Sequence, residues 1–137
     1  MNNNYSINYC NSITKGLKDT IFFEKNSNIK SNIFFEKINQ KLNKIRDNRN
    51  KIYFFGNGAS SAFANHMALD FSKNGKILSR SLSDSAMLTA LANDYSYENA
   101  MLEYLKIEGV TKDDLVITIS SSGNSPNIVS VLSYCKE

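Results

Sequence analysis

The run Leu115-Val116-Ile117-Thr118-Ile119 passes without a break into Ser120-Ser121-Ser122-Gly123-Asn124-Ser125, and Pro126 follows. That succession leaves few architectures open. Five apolar or β-branched residues with no polar alternation read as a strand covered on both faces, the strand type of a parallel sheet. Proline suits the first turn of a helix, and a serine just before it is a good cap, so a helix is expected over Pro126 to Cys135. A buried strand that turns directly into a helix is the repeating half of an α/β fold.

The rest of the chain repeats the pattern. Ile52-Tyr53-Phe54-Phe55 stops at Gly56-Asn57-Gly58, and a helix is expected from Ala59 or Ser60 to about Ser72, closing before Asn74-Gly75. A second strand fits Ile77 to Leu82, with Ser83 or Asp84 capping a helix through about Ala92. After Asn93-Asp94-Tyr95 another helix is expected over Tyr97 to Glu108. Three strands alternating with helices predict a doubly wound parallel sheet. The last of these helices has no strand after it, and three parallel strands make a thin sheet with open edges. An incomplete domain is therefore expected.

Ahead of the first strand, Tyr9, Ile13, Leu17 and Ile21 recur every four positions, which predicts an amphipathic helix from about Tyr5 to Phe23. Ile29, Ile33, Phe34, Ile38, Leu42 and Ile45 predict a second. Stripes so apolar need cover, from the sheet or from another subunit. The chain thus divides into a helical segment for assembly or packing, 1–50, and a ligand-binding domain, 51–137, truncated at its carboxyl end.

A chain of 137 residues is about one domain, and 42% apolar with 21% charged residues is ordinary for a folded one. The net charge of +3 comes without a block of like charge, so a nucleic-acid partner is not expected. No uncharged apolar run reaches the length of a bilayer span, and the asparagine-rich start has no signal-peptide pattern. Neither a membrane nor secretion is expected. Cys10 and Cys135 lie far apart with no metal or redox spacing, which reads as free thiols in a reducing compartment, hence the cytoplasm.

In open α/β sheets ligands bind beyond the carboxyl ends of the strands. Two such ends here are rich in small polar residues. The loop Gly56 to Ser60 allows close backbone approach and opens a helix amino terminus, where free N–H groups and the positive dipole end favour an anion. The loop Ser120 to Ser125 adds four serine hydroxyls and a second helix amino terminus. Together they can hold a phosphate without any arginine. Rival motifs fit less well. Ser61 replaces the third glycine of a dinucleotide fingerprint, and no acid comes until Asp84. No Gly-Lys-Ser/Thr makes a P-loop, and there is no nucleophile elbow.

The ordered set Gly56-Asn57-Gly58-Ala59-Ser60, then His66 and Asp70, Ala92-Asn93-Asp94, and Ile119 to Ser125 resembles the sugar isomerase (SIS) domain family, and within it the sedoheptulose 7-phosphate (phosphoheptose) isomerases. The likeness runs from about Lys51 to the end. It implies a flavodoxin-like SIS sheet in which Gly58, Ser60, Ser120, Ser121, Ser122 and Ser125 cradle a sugar phosphate, with Asn57 and Asp94 on the sugar chain. It implies that His66 binds a zinc ion and acts in catalysis with Asp70, which stands where those enzymes carry a glutamate serving as metal ligand and acid/base. The spacing agrees, since residues four apart share one helix face. The remaining glutamine and histidine of that metal site would lie beyond Glu137.

The expected activity is interconversion of sedoheptulose 7-phosphate and an aldoheptose 7-phosphate for surface-polysaccharide heptose. The expected assembly is a homotetramer whose only other partner is the small sugar phosphate. The alternative is a non-catalytic SIS module that senses a phosphosugar or binds a protein, of the kind that works with the bacterial replication initiator.

Overall fold

The computed structural model describes residues 4–136. The backbone divides into two units, Met1–Lys41 and Leu42–Glu137, with the division inside a helix.

The first unit begins with α1, Tyr5–Lys18, whose last turn carries Lys15 and Lys18 against the negative end of the helix dipole. Here the structure corrects the expected helix to Phe23. The chain leaves the helix at Asp19, and Phe22–Glu24 (β1) pairs antiparallel with Ser27–Ile29 (β2) in a small hairpin. Phenylalanine is a strand former, and the hairpin gives Phe22 a place among aromatic rings. Its centroid lies 4.9 Å from that of Phe34 and 5.4 Å from that of Phe35. Those two rings belong to α2, Ser31–Asp47, which starts two residues later than its apolar pattern suggests.

The second unit is the α/β domain. The strands β3 (Lys51–Gly56), β4 (Leu78–Ser81) and β5 (Leu115–Ile119) form one parallel sheet in the order β4-β3-β5. Helix α3 (Ala59–Lys73) links β3 to β4, α4 (Ser85–Tyr95) and α5 (Tyr97–Ile107) link β4 to β5, and α6 (Pro126–Tyr134) follows β5. Asp84 caps α4 through a 2.7 Å bond from the Met87 N–H to its carboxylate. Asn93-Asp94-Tyr95, expected to interrupt the helices, is still helical. The break comes at Ser96, which takes φ 75° between α4 and α5.

Strand alternation sorts the core into two faces. Tyr53 and Phe55 of β3 pack with Leu91, Met101, Leu105, Ile128 and Val131 from α4, α5 and α6. Ile52 and Phe54 point the other way, to Ala64 and Ala68 of α3 and to Ile45 at the end of α2. The sheet is doubly wound, as expected. Its third strand is less enclosed than its sequence suggests. Every residue of β5 is only half-buried, and β5 stands at the sheet edge. No described helix is long and apolar enough to cross a membrane.

Candidate functional site

Sheet order locates the crevice. The helix after β3 lies on one face of the sheet and the helix after the neighbouring β5 lies on the other. The two connections therefore diverge at the carboxyl ends of β3 and β5, the switch point where α/β sheets take ligands. Both loops singled out in the sequence flank this point.

The first loop is shaped by glycine at two places. A Cβ on Gly56 would come within 2.6 Å of the backbone of Ser60, so only glycine lets the strand end pass so close to α3. Gly58 takes φ 56° and begins α3, and the turn is closed by the Ser60 and Ser61 N–H groups, which donate to the carbonyls of Asn57 and Gly58 at 3.0 Å each. Ser60 is half-buried in the first turn of α3, at the positive end of the helix dipole.

In the second loop, Ser120 Oγ accepts the Gly123 N–H at 3.1 Å, and Ser122 Oγ accepts that of Asn124 at 3.3 Å. These bonds shape the loop and leave each hydroxyl its proton to donate. Ser121 and Ser122 are exposed, and Ser120 and Ser125 half-buried. The expected cap differs in detail. Ser125 is the residue before α6, but its side chain makes no capping bond. Its carbonyl accepts the Ile128 and Val129 N–H groups instead, at 2.9 and 3.0 Å, and Asn127 Oδ1 also receives the Ile128 N–H at 3.0 Å. The Ser125 hydroxyl is thereby left out of the cap.

Asn57 is held between the loops. Its Nδ2 donates to Asn127 Oδ1 at 2.9 Å, its Oδ1 accepts from Asn127 Nδ2 at 2.8 Å, and Tyr97 Oη donates to the same Oδ1 at 3.0 Å. Sequence reasoning missed Asn127 and Tyr97. A lone asparagine in a first helical turn carries no signal of its own, and its burial depends on a loop 70 residues away.

The remaining expected site residues, His66, Asp70 and Asp94, make no hydrogen bond to either loop among the described residues. His66 Nε2 stands 3.3 Å from Asp70 Oδ2 on the exposed face of α3, and Asn74 Nδ2 donates to the other Asp70 oxygen at 3.3 Å. Helical rise puts His66 and Asp70 about 9 and 15 Å along the axis from Ser60, and no described hydrogen bond joins them to either loop. Asp94, exposed on α4, accepts from Asn93 Nδ2 at 2.9 Å. Among the described residues no group of three or more His, Cys, Asp or Glu side chains could hold a metal ion. Catalytic zinc takes three protein ligands, so His66 and Asp70 alone do not make a zinc site.

A doubly wound α/β domain with a crevice at its switch point is the class that this fold defines. Residues 9–137 match the SIS domain, and the chain belongs to that family. The phosphoheptose isomerase of Aneurinibacillus thermoaerophilus is 38% identical over 108 residues, covering 74% of this chain and 54% of that protein. Phosphoheptose isomerase 2 of Campylobacter jejuni is 40% identical over 100 residues, covering 69% and 49%. The chain thus spans about half the length of the curated relatives it matches. Two solved structures of phosphoheptose isomerases share the fold. That from Neisseria gonorrhoeae superposes with a TM-score of 0.72 at 24% identity, covering 96% of this chain and 67% of its own. That from Francisella tularensis gives 0.73 at 20%, covering 99% and 71%.

Proposed function

We propose that the chain binds a phosphorylated sugar as part of an aldose–ketose isomerase acting on sedoheptulose 7-phosphate. The observation that carries this reading is the convergence, at one switch point, of two helix amino termini with serine hydroxyls free to donate. A dianionic phosphate is the ligand that such donors suit. The curated relatives supply the class of sugar. Ser60, Ser120, Ser121, Ser122 and Ser125 would hold the phosphate, while Asn57 and Asp94 would meet the sugar chain. Isomerisation would move a proton between C1 and C2 through an enediol, with Asp70 and His66 as acid/base pair. Because that pair is exposed and lies along α3 away from Ser60, the reading includes a homo-oligomer, a tetramer by resemblance, in which the site is shared between subunits. Any zinc bound by His66 and Asp70 would need further ligands from outside the described residues.

The exposed pairing of His66 with Asp70 favours one second reading, a phosphosugar-binding module without catalysis. One experiment separates the two. The protein is incubated with sedoheptulose 7-phosphate and zinc in deuterated water, and deuterium at C1 and C2 is followed by NMR. The isomerase reading expects exchange, which Asp70→Asn abolishes while calorimetry still detects phosphate binding. Binding without exchange in the unaltered protein rejects catalysis and leaves the module. The serine loop has its own check, since Ser120→Ala with Ser122→Ala should weaken sugar-phosphate affinity by about 1 kcal/mol or more per lost bond.

A further inference from the structure

The amide pair between Asn57 and Asn127 contains more information than its four atoms suggest. Which end of an asparagine amide is oxygen and which nitrogen follows from its hydrogen-bond partners. Here one partner cannot be reversed. The backbone N–H of Ile128 only donates, and it reaches Asn127 Oδ1 at 3.0 Å while shared with the Ser125 carbonyl at 2.9 Å. That fixes Asn127 with its oxygen toward the helix backbone and toward Asn57. Asn57 must then offer nitrogen to that oxygen, at 2.9 Å, and oxygen to Asn127 Nδ2, at 2.8 Å. The Tyr97 hydroxyl, 3.0 Å from Asn57 Oδ1, is in turn obliged to donate. One backbone amide at the start of α6 sets the orientation of three side chains from three elements.

The consequence falls on Asn57. Its oxygen already accepts two bonds, from Asn127 and Tyr97, which fills both lone pairs. Of its two N–H groups one is used on Asn127, and the other has no acceptor among the described residues. Asn57 is half-buried at the crevice while Asn127 is only 3% exposed.

We propose that Asn127 is a positioning residue that, with Tyr97, locks Asn57 as a hydrogen-bond donor only, so that the crevice reads an acceptor oxygen of an open-chain sugar phosphate, such as a carbonyl oxygen. The proposal rests on the phosphosugar reading given above. It adds the polarity of the contact, which the identity of Asn57 alone leaves open, because a free asparagine accepts a hydroxyl proton as readily as it donates. It also assigns a task to Asn127, which joins the β3 loop to the start of α6.

The test compares two ligands that differ in having a sugar chain, sedoheptulose 7-phosphate and inorganic phosphate, by calorimetry on the whole chain. Asn127→Ala should weaken the sugar phosphate about tenfold, the effect of one or two oriented hydrogen bonds. Inorganic phosphate, held by serines and helix ends, should change by less than about twofold on the same scale. Tyr97→Phe, at a side chain 53% exposed and so safe for folding, should give a smaller loss in the same direction. Side-chain NMR signals provide a second measure. The two Asn57 amide protons should be well separated in the unaltered protein and move toward free-amide positions in both variants.

Equal weakening of both ligands would mean that the loop has collapsed and would overturn the proposal. So would a sugar-phosphate affinity untouched by either variant. Should the unaltered protein bind neither ligand, the phosphosugar reading fails, and the lock is then decided by NMR alone. Asn57 signals that ignore Asn127→Ala would overturn it, and signals that shift would support it.

Discussion

Both units of this chain carry apolar stripes and treat them in opposite ways. From Leu42 onward, β3, β5 and all of the helices contribute to two buried clusters, and Ile52, Tyr53, Leu105 and Val131 are completely enclosed. Before that point no described residue is buried. Tyr5, Tyr9, Ile13 and Leu17 form an apolar stripe of α1 open to solvent, and Leu17 is 73% exposed. Beside them, Leu17, Ile21, Phe22, Ile29 and Phe35 line an open hollow of about 720 Å³. A helix of 14 residues draws most of its stability from packing an apolar face. The difference teaches that amphipathic pattern specifies a face to be covered and not what covers it. In the second unit the chain covers itself. In the first, the pattern calls for cover that these residues do not give one another, and in the proposed assembly a second copy would supply it.

The largest effect expected from that contrast comes from matched truncations. Phe55→Ala opens a cavity in a closed core and should cost about 3–5 kcal/mol in denaturant unfolding. Leu17→Ala at low protein concentration should change the same transition by less than about 0.5 kcal/mol, as for other exposed sites. At high concentration Leu17→Asp should shift sedimentation toward a smaller species. A Leu17→Ala cost near that of Phe55→Ala in a monomer would break the comparison.

Legibility in the sequence follows the same line. The parallel sheet was readable because Ile52 to Phe55 and Leu115 to Ile119 are apolar without alternation and end at glycine or serine. Both loops were readable because strand ends and helix starts bracket them. The hairpin was not readable. Its apolar residues continue the helical period through Ile21, and the turn Lys25-Asn26 has none of the glycine that usually marks a two-residue connection. Asn127 was invisible for another reason. Its side-chain partner Asn57, and Tyr97 that bonds Asn57 in turn, come from distant segments, and no local pattern announces a contact between loops. His66 and Asp70 were visible as a pair on one face of α3, where they stand 3.3 Å apart.

A smaller effect tests how tightly the second unit is closed. Tyr53 is wholly buried, and its hydroxyl has no hydrogen-bond partner among the described residues. An unmet buried hydroxyl is costly, so Tyr53→Phe should raise stability by about 1 kcal/mol. Burial pushes the Tyr53 phenol above its ordinary value of 10.0, against the opposing pull of nearby Lys51. The folded chain therefore binds this proton more tightly than the unfolded one. The resulting stability is complete below pH 10 and is lost as pH rises through the folded value. Burial raises Tyr104 in the same sense, so Tyr53→Phe should remove part of the alkaline loss and leave part. Tyr9→Phe, on the open stripe, should leave stability unchanged to within about 0.5 kcal/mol.

The smallest expected effect sharpens the comparison furthest, because it places the same chemical change in both units. Lys76, just past α3, has φ 56°, and Lys25, the first turn residue of the hairpin, has φ 54°. Both hold a side chain in the left-handed region, at a cost on the order of 1 kcal/mol that glycine avoids. Lys76→Gly also forfeits a 2.8 Å bond from its ammonium to the Lys73 carbonyl, and a cation near the end of a helix. Its net gain should be about 0.5 kcal/mol, read as a higher midpoint of the global unfolding transition. Lys25→Gly forfeits no comparable bond among the described residues, yet its gain should appear only as slower hydrogen exchange at the amides of Phe22–Glu24 and Ser27–Ile29. A segment without a buried core opens below the global transition, so relief of its strain does not reach that transition. Equal shifts of the global midpoint by the two substitutions would show that both units unfold together, and the contrast drawn from burial would then not extend to stability.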